Sequence, residues 1–287
     1  MNISGNTKVC GIIGHPIDHT LSPAMHNAAF RELGLNFIYI AFDVESKHLH
    51  ESFSGIRSLG IYGLNVTIPH KEDVIEYLDE IDQEAKKIGS VNTIVNRDRQ
   101  LVGHNTDGIG AIRALKDNEV DLKEKKILLL GAGGSAKSIA FTLSKFVRKI
   151  MILNRTEERA KKLANNLKSM FDIEIAWDHL SQKAVRQNLI DADILINATS
   201  IGMNPESESL IKSEWLTSRI CIFDIVYSPK GTKLIQNAKR IGAKAIDGID
   251  MLVYQGAMAF KIWTGKNPPI DVMKEAIKKE IDNRKEK

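Results

Sequence analysis

Two stretches of the chain carry residues whose types and spacing suit the binding of a phosphorylated cofactor. The cluster Gly131, Ala132, Gly133, Gly134, Ser135 and Ala136 follows an apolar run at 127–130 and leads into helix-forming sequence. Gly131 would permit a sharp strand-to-helix turn, Gly133 would let backbone amides close on a pyrophosphate, and Ala136 is small enough for the helix to pack on the strand. About 23 positions beyond the first glycine, a second apolar run at 149–153 ends in Asn154, Arg155 and Thr156, where the residue that reads a ribose belongs. Asn154 has no charge to repel a 2′-phosphate, and Arg155 supplies a planar cation suited to one. Arg159 lies one turn further along a helix that Thr156 can cap. The expected ligand is a dinucleotide, and this chemistry favours NADP over NAD.

Three more stretches carry residues that could act on a small polar molecule. Thr20 and Ser22 precede Pro23 and the apolar-periodic residues Met25, Ala28, Ala29 and Leu33, with Gly34 just beyond. That is the order of N-cap, proline at the first helical position and glycine stop, so Ser22 can be simply the cap. Taken alone, the cap is the favoured reading, although the same two hydroxyls, with the free amides of a helix start, would also present themselves to a small carboxylate. Pro69 reads as the start of a helix running to about Leu78, which puts Lys71 in its first turn, where the positive end of the helix dipole opposes a further positive charge. An exposed lysine would fit the position as well. Thr106 or Asp107 reads as the cap of a helix over 108–116. His15, His19 and His26 lie close in sequence, but Pro16 and a loop context break any helical ligand spacing, and no metal is expected. His48 and His50 fall on different faces of a helix and read as surface residues.

The elements that must position these groups alternate. Strands are expected at 9–13, 36–44 and 63–67, with a helix over 46–59, and a hairpin at 89–95 and 100–104 turning at 96–99. The nucleotide unit adds strands at 173–176, 192–196 and 220–225, with helices over 135–146, 157–167, 181–188 and 231–241. The alternation predicts parallel sheets, whose ligands gather beyond the carboxyl ends of the strands; Thr67 to Lys71, 197–203 and 224–229 occupy such ends. Two helices come after the break at Asp247-Gly248, over 251–263 and 270–283. A domain boundary is expected near Asp107.

At 287 residues the chain is long enough for about two domains. Forty basic and thirty-six acidic side chains leave a net charge of +4, with no basic block interleaved with aromatics, so nucleic acid is not an expected partner. Cys10 and Cys221 form no ligand-spaced or C-x-x-C set, which suits a reducing compartment. Residues 1–8 hold no apolar core of the signal-peptide kind, and no apolar run approaches the roughly 18 residues that span a bilayer; a cytoplasmic location and no membrane partner are expected.

Several ordered motifs together resemble the shikimate dehydrogenase family, from about Val9 to the last helix. They are L-S-P at 21–23, N-V-T-I-P-H-K at 65–71, G-S-V-N-T at 89–93, N-T-D-G at 105–108, G-A-G-G-S-A-K at 131–137, N-R-T at 154–156, N-A-T-S-I-G-M at 197–203 and D-G-I-D-M-L-V-Y-Q-G at 247–256. The resemblance implies reversible reduction of 3-dehydroshikimate to shikimate by NADPH, with Lys71 and Asp107 as the catalytic pair. It implies that Thr20 and Ser22 bind the substrate carboxylate with Tyr227 nearby, and that Thr67, Asn92, Asp107 and Gln255 read the ring hydroxyls. The family usually carries serine at both of the first two positions; Thr20 keeps the hydroxyl and adds a methyl. On the cofactor side the resemblance points to 131–136, Asn154 to Arg159, Thr199, Ile225, Gly248 and Met251, with Leu252 and Gln255 on the same late helix.

The implied fold is α/β: a three-layer α/β substrate domain over 1–107, completed by helices over 250–287, and a Rossmann-type doubly wound parallel sheet over 108–249 that binds the dinucleotide, with a cleft between them. Two other functions stay open: a quinate/shikimate dehydrogenase using NAD or both cofactors, and an NADP-sensing protein without chemistry. Monomer and homodimer are both open as well.

Overall fold

A computed structural model of the chain describes residues 3–203, 210–228 and 231–285. The chain divides into two units, Met1–Asp107 with Leu252–Lys287, and Gly108–Met251. The first opens with β1 (Lys8–Gly14), α1 (Ser22–Glu32), β2 (Phe37–Asp43), α2 (Leu49–Ser58) and β3 (Gly63–Val66). It continues through a 3-10 turn at Asp73–Tyr77, β4 (Glu80–Ile81), α3 (Gln83–Ile88), β5 (Thr93–Arg97) and β6 (Gln100–His104). The sheet order is β2-β1-β3-β5-β6-β4.

Helix–strand alternation predicts a parallel sheet, and β2, β1 and β3 are parallel. The β5–β6 hairpin breaks that pattern, running antiparallel to β3 and within itself. Its turn is tighter than a 96–99 turn: Asp98 and Arg99 both take positive φ, 52° and 71°, the two-residue geometry whose twist matches the flanking strands. Residues 89–92 are not strand as expected, because α3 ends at Ile88 and Gly89, at φ 68°, is its left-handed C-cap. The signals for α3 lie in Asp82, whose carboxylate accepts from the Ala85 N–H at 2.7 Å, and in this glycine.

The chain passes into the second unit within the first turn of α4 (Asp107–Asp117) and continues through β7 (Lys126–Leu130), α5 (Gly134–Leu143), β8 (Lys149–Asn154), α6 (Glu157–Lys168), β9 (Glu174–His179) and α7 (Gln182–Leu189). β10 (Ile194–Asn197), β11 (Cys221–Asp224), α8 (Lys233–Arg240) and β12 (Ala245–Ile246) complete it. Its order is β12-β11-β10-β7-β8-β9 with every pairing parallel. That is the doubly wound arrangement, in which the chain starts at a central strand and winds first to one edge, then to the other. The strands are apolar on both faces because helices cover both: Leu128, Leu130, Leu153, Leu195 and Ile222 share one cluster with α7 and α8, while Ile127, Leu129 and Ile152, equally buried, alternate to the other side. α5 stops at Leu143, short of the expected 146, where Ser144 caps it.

The last two helices are α9 (Gly248–Thr264) and α10 (Ile270–Lys285). Within the first unit, Trp263 lies flat on Gly63, where an added Cβ would come within 2.5 Å of the indole, and its Nε1 donates to the Ile94 carbonyl at 2.9 Å. Gly256 lets α9 pass close to Met25, whose Cε would be 2.3 Å from a Cβ there. α10 buries Met273, Ile277 and Ile281 and packs on α1. One face of the sheet thus meets α2, through Ile13, Leu64, Val66, Leu49, Phe53 and Ile56. The other meets α1, where Phe30 stacks on Phe37 and Phe260, and His26 on Tyr39 at 4.4 Å. This is a three-layer α/β unit. Among the described residues no helix is long and apolar enough to cross a membrane.

His26 is wholly buried among Phe30, Tyr39 and Trp263, with no partner on either ring nitrogen. Burial pushes its pKa down to about 3 from 6.5, so below that ordinary value the unfolded chain takes up a proton that the folded unit refuses. The stabilisation is full above pH 6.5 and is lost as pH falls towards 3. His26→Phe should therefore flatten the fall in melting temperature between neutral and acid pH, measured by thermal unfolding of wild type and variant across that range.

Candidate active site

The antiparallel hairpin brings the site together. β1 and β3 are parallel, so Gly14 and Val66 end at one sheet edge. Register pairs Asn65 with Thr93 and Thr93 with His104, so β5 begins, and β6 ends, at that same edge. Among the segments that meet there are 15–22, 67–72, Asn92 and 105–107.

Lys71 and Asp107, 36 positions apart, meet there: Nζ donates to Oδ2 at 2.5 Å, and the two side chains are only 12% and 4% exposed. The other carboxylate oxygen accepts from Asn92 Nδ2 at 2.7 Å. Asn92 Nδ2 also faces Thr106 Oγ1 at 3.0 Å and Gln255 Oε1 at 3.2 Å. Two N–H groups serve three acceptors, so these contacts compete, and the longest is the one to Gln255. Asn92 Oδ1 accepts from the Thr106 N–H at 2.8 Å and from Thr93 Oγ1 at 3.0 Å.

Lys71 does not stand in the first turn of a helix. Residues 68–72 form a turn, and the helical segment after it is a five-residue 3-10 stretch preceded by Glu72. The Lys71 carbonyl accepts from the Val91 N–H at 2.8 Å and is spent on the neighbouring segment instead of a helical ladder. The dipole argument for this lysine therefore falls; its setting is the carboxylate beside it. His70, fully buried, fixes the same turn through Nε2, which donates to the Val44 carbonyl at 2.6 Å. Thr67 is half-buried, its N–H bonded to the Ile13 carbonyl at 2.9 Å.

Thr20 and Ser22 are also brought together, both buried. Ser22 is not the N-cap: Leu21 holds that place and Ser22 is the first helical residue, with proline behind it. Thr20 Oγ1 takes over part of the capping, accepting from the Ser22 N–H at 3.3 Å. Behind these groups lies a polar layer that sequence reasoning passed over. Asn65 Nδ2 donates to the Asn92 carbonyl and to Thr93 Oγ1, each at 3.1 Å, and Asn65 Oδ1 accepts from the Tyr39 hydroxyl at 2.7 Å. An asparagine inside the buried strand G-L-N-V was the available signal, because a buried polar side chain needs partners.

In the second unit Gly131 takes φ 110°, and a Cβ there would sit 2.6 Å from the Ala198 carbonyl oxygen. Only glycine suits that turn. Gly133 is the N-cap of α5 with no side-chain cap, and a Cβ on it would meet nothing within 4 Å. Backbone amides at a helix start with open space before them fit a pyrophosphate. Ala136 is fully buried at the strand-facing side of α5, as its small size predicts, while Gly134 and Ser135 are half-buried.

At the end of β8, Asn154 Nδ2 donates to the Thr156 carbonyl at 2.9 Å, and Arg155 and Arg159 are exposed beside it. Thr156 holds the N-cap position of α6 but makes no side-chain cap bond. The chemistry of this set fits a 2′-phosphorylated dinucleotide. Thr199, Ile225 and Tyr227 are half-buried beyond β10 and β11; Gly248 is buried where a Cβ would strike the Ile225 carbonyl at 2.2 Å, and Met251 is buried on α9. Pro229 lies outside the described residues.

One buried carboxyl organises these last loops. Asp224 Oδ1 accepts from Asn197 Nδ2 at 2.9 Å and from the Val226 N–H at 3.1 Å, and Oδ2 accepts from Thr232 Oγ1 at 2.6 Å. Asn197 Oδ1 in turn accepts from Thr199 Oγ1 at 2.6 Å.

A parallel unit of this strand order with a glycine turn is a dinucleotide-binding architecture, here in one chain with a unit that holds a lysine–carboxylate pair. Comparison with known proteins agrees. The family models for the shikimate dehydrogenase substrate binding domain, shikimate / quinate 5-dehydrogenase and the shikimate 5′-dehydrogenase C-terminal domain match residues 12–94, 113–249 and 248–278. A shikimate dehydrogenase (NADP(+)) of Methanocaldococcus jannaschii is 48% identical over 281 residues, 96% of this chain and 98% of that protein. A crystal structure of a shikimate dehydrogenase in complex with NADP+ superposes with a TM-score of 0.89 at 45% identity, covering 98% of both chains. The Listeria monocytogenes shikimate 5-dehydrogenase, solved with shikimate and NAD, gives 0.86 at 38% identity over 96% of this chain and 98% of that one. The chain belongs to the shikimate dehydrogenase family.

Burial raises the Asp224 pKa from 3.8 to about 6 against the hydrogen bonds that lower it. A raised carboxyl pKa favours the folded state below 3.8, and this advantage is lost as pH rises through 6. Asp224→Asn, which keeps most partners, should remove a pH-dependent term on the order of 2–3 kcal/mol. Denaturant titrations at pH 4 and 7 check this: the variant's stability should change less across that span than the wild type's.

Proposed function

We propose that the chain catalyses the reversible NADPH-dependent reduction of 3-dehydroshikimate to shikimate, with Lys71 and Asp107 handling the proton. The observation that carries this reading is the Lys71–Asp107 contact of 2.5 Å in a nearly closed polar setting, with Asn92 holding the second carboxylate oxygen. The bound dinucleotide supplies the hydride. Lys71 Nζ gives its proton to the carbonyl oxygen of the substrate and takes it back in the reverse direction. Asp107 keeps the amine aimed and offsets its charge; with both oxygens engaged it cannot rotate away.

Thr20 and Ser22 receive the substrate carboxylate, with Tyr227 assisting. Thr67, Asn92, Asp107 and Gln255 read the ring hydroxyls, and the 3.2 Å Asn92–Gln255 contact is the one a hydroxyl would displace at least cost. A site that reads hydroxyls this way rejects an analogue lacking one far more strongly than one differing in apolar bulk, because its buried polar groups would be left unpaired. Residues 131–136, Asn154, Arg155, Thr156, Arg159, Thr199, Ile225, Gly248 and Met251 hold the cofactor. We place the protein in the cytoplasm, where the free thiols of Cys10 and Cys221 stay unpaired.

Mixing the purified chain with NADP and shikimate should raise the reduced-nicotinamide absorbance, and Lys71→Ala should lower kcat by about 10²–10⁴ while leaving NADP affinity intact. Undiminished turnover in the variant would remove Lys71 as the proton donor. Arg155→Ala combined with Arg159→Ala should raise KM for NADP by about 10- to 100-fold and leave KM for NAD nearly unchanged, since only the 2′-phosphate meets these cations. Initial rates with both cofactors measure the split.

A further inference from the structure

The last turn of α10 reaches back to the loop that carries Thr20. Arg284 Nη1 donates to the His19 carbonyl and Nη2 to the Thr20 carbonyl, both at 2.9 Å, and its Nε donates to Glu280 Oε1 at 2.8 Å, one turn earlier on the same helix. A guanidinium spread over two consecutive carbonyls fixes two peptide planes at once. With those carbonyls turned towards α10, the Thr20 N–H points the other way, to the Ile17 carbonyl at 3.0 Å, and the Thr20 hydroxyl meets the Ser22 N–H. The loop conformation that brings the Thr20 hydroxyl onto the Ser22 N–H is thus held from outside the loop as well.

We infer that Arg284 is a positioning residue for the substrate carboxylate, acting by clamping the 19–20 peptides that present Thr20 and Ser22 and by adding a fixed positive charge behind them. The inference rests on the reading of Thr20 and Ser22 as the carboxylate-binding pair. Arg284 lies beyond residues 248–278, where the C-terminal family model matches, so it is no part of the motifs that defined the family. Its charge is felt locally: after burial, the guanidinium is the next cause that lowers the pKa of His19, opposed by Asp18. The arginine stays charged at any working pH. Glu280 holds only the Nε edge and leaves the two carbonyl-facing nitrogens to the loop.

The test is steady-state kinetics of Arg284→Gln, Arg284→Lys and, in parallel, Ser22→Ala, with shikimate and with its uncharged methyl ester. Arg284→Gln should raise KM for shikimate by about tenfold, with kcat changed by no more than about twofold and KM for NADP unaffected. Its effect on the ester should be much smaller, and lysine should restore part of the loss because it keeps the charge without the two-pronged geometry. Three results would overturn the inference. A rise in shikimate KM for Ser22→Ala but not for Arg284→Gln would sink it and leave the carboxylate pair standing. Equal losses on acid and ester, or a fall in kcat together with melting temperature, would make the arginine a general strap. No effect from either variant, or a wild-type chain that oxidises no shikimate, would remove the reading on which the inference stands.

Discussion

The carboxamide of Asn92 is the joint that holds the first unit's polar edge together. Its backbone ties β3 to β6, accepting from the Val66 N–H at 2.9 Å and donating to the His104 carbonyl at 3.1 Å. Its side chain, 1% exposed, reaches Asp107, Thr106 and Gln255. A single hydrogen bond is worth only about 1 kcal/mol net, but leaving a buried partner unpaired costs more than the bond returns. The carboxylate of Asp107, 4% exposed, makes this asymmetry acute, since a buried charge must be both paired and hydrogen-bonded. Lys71 and Asn92 answer it from opposite sides, so the cluster is stable only when complete. A buried lysine–carboxylate pair is weak evidence for a stabilising role.

That cluster exists because an antiparallel hairpin is inserted beside a parallel β2-β1-β3 core. In a wholly parallel sheet, strand starts and strand ends lie at opposite edges. Reversing β5 and returning with β6 puts the start of one and the end of the other beside Val66, and three stretches distant in sequence share an edge. The second unit keeps every strand parallel and builds its site from backbone, through the glycine turn after β7 and the bare N-terminus of α5. The contrast is physical: a pyrophosphate is met by amides at a helix start, whereas ring hydroxyls and a transferable proton need side chains of defined length.

The same contrast decides what the sequence disclosed. Gly131 was legible because a positive φ with a carbonyl 2.6 Å from any Cβ leaves one residue type, and the order of apolar run, glycine and helix is local. Alternation of strands and helices gave the α/β class. Pro69 looks like a helix start and so suggests a helical Lys71, while the deciding bond, from the Val91 N–H to the Lys71 carbonyl, comes from 20 positions away. Ser22 was offered as a cap for similar reasons, and Thr20 took over part of that role. The meeting of Lys71 with Asp107, and of Asn92 with Gln255 across 163 positions, has no local signature. Only the family motifs pointed to it. Asn65 was readable and overlooked.

Within the first unit, three residues of the last two helices each brace a different part of the polar edge. Gln255 meets Asn92, Trp263 bonds the strand that comes after it, and Arg284 grips the loop before α1. Gln255 and Trp263 are eight residues apart, about 12 Å along α9, so an indole fixed on Gly63 sets where the amide two turns earlier can reach. The separations of 163 to 265 positions mean that loop-closure entropy opposes these contacts until the late helices have formed and packed. The sheet and α2 share a core drawn from the first hundred or so residues, whereas the polar edge also takes contacts from α9 and α10. The loop that carries Thr20 and Ser22 is thus held twice, by its own buried Ile17 and Leu21 and by a guanidinium from the segment most distant from it in sequence.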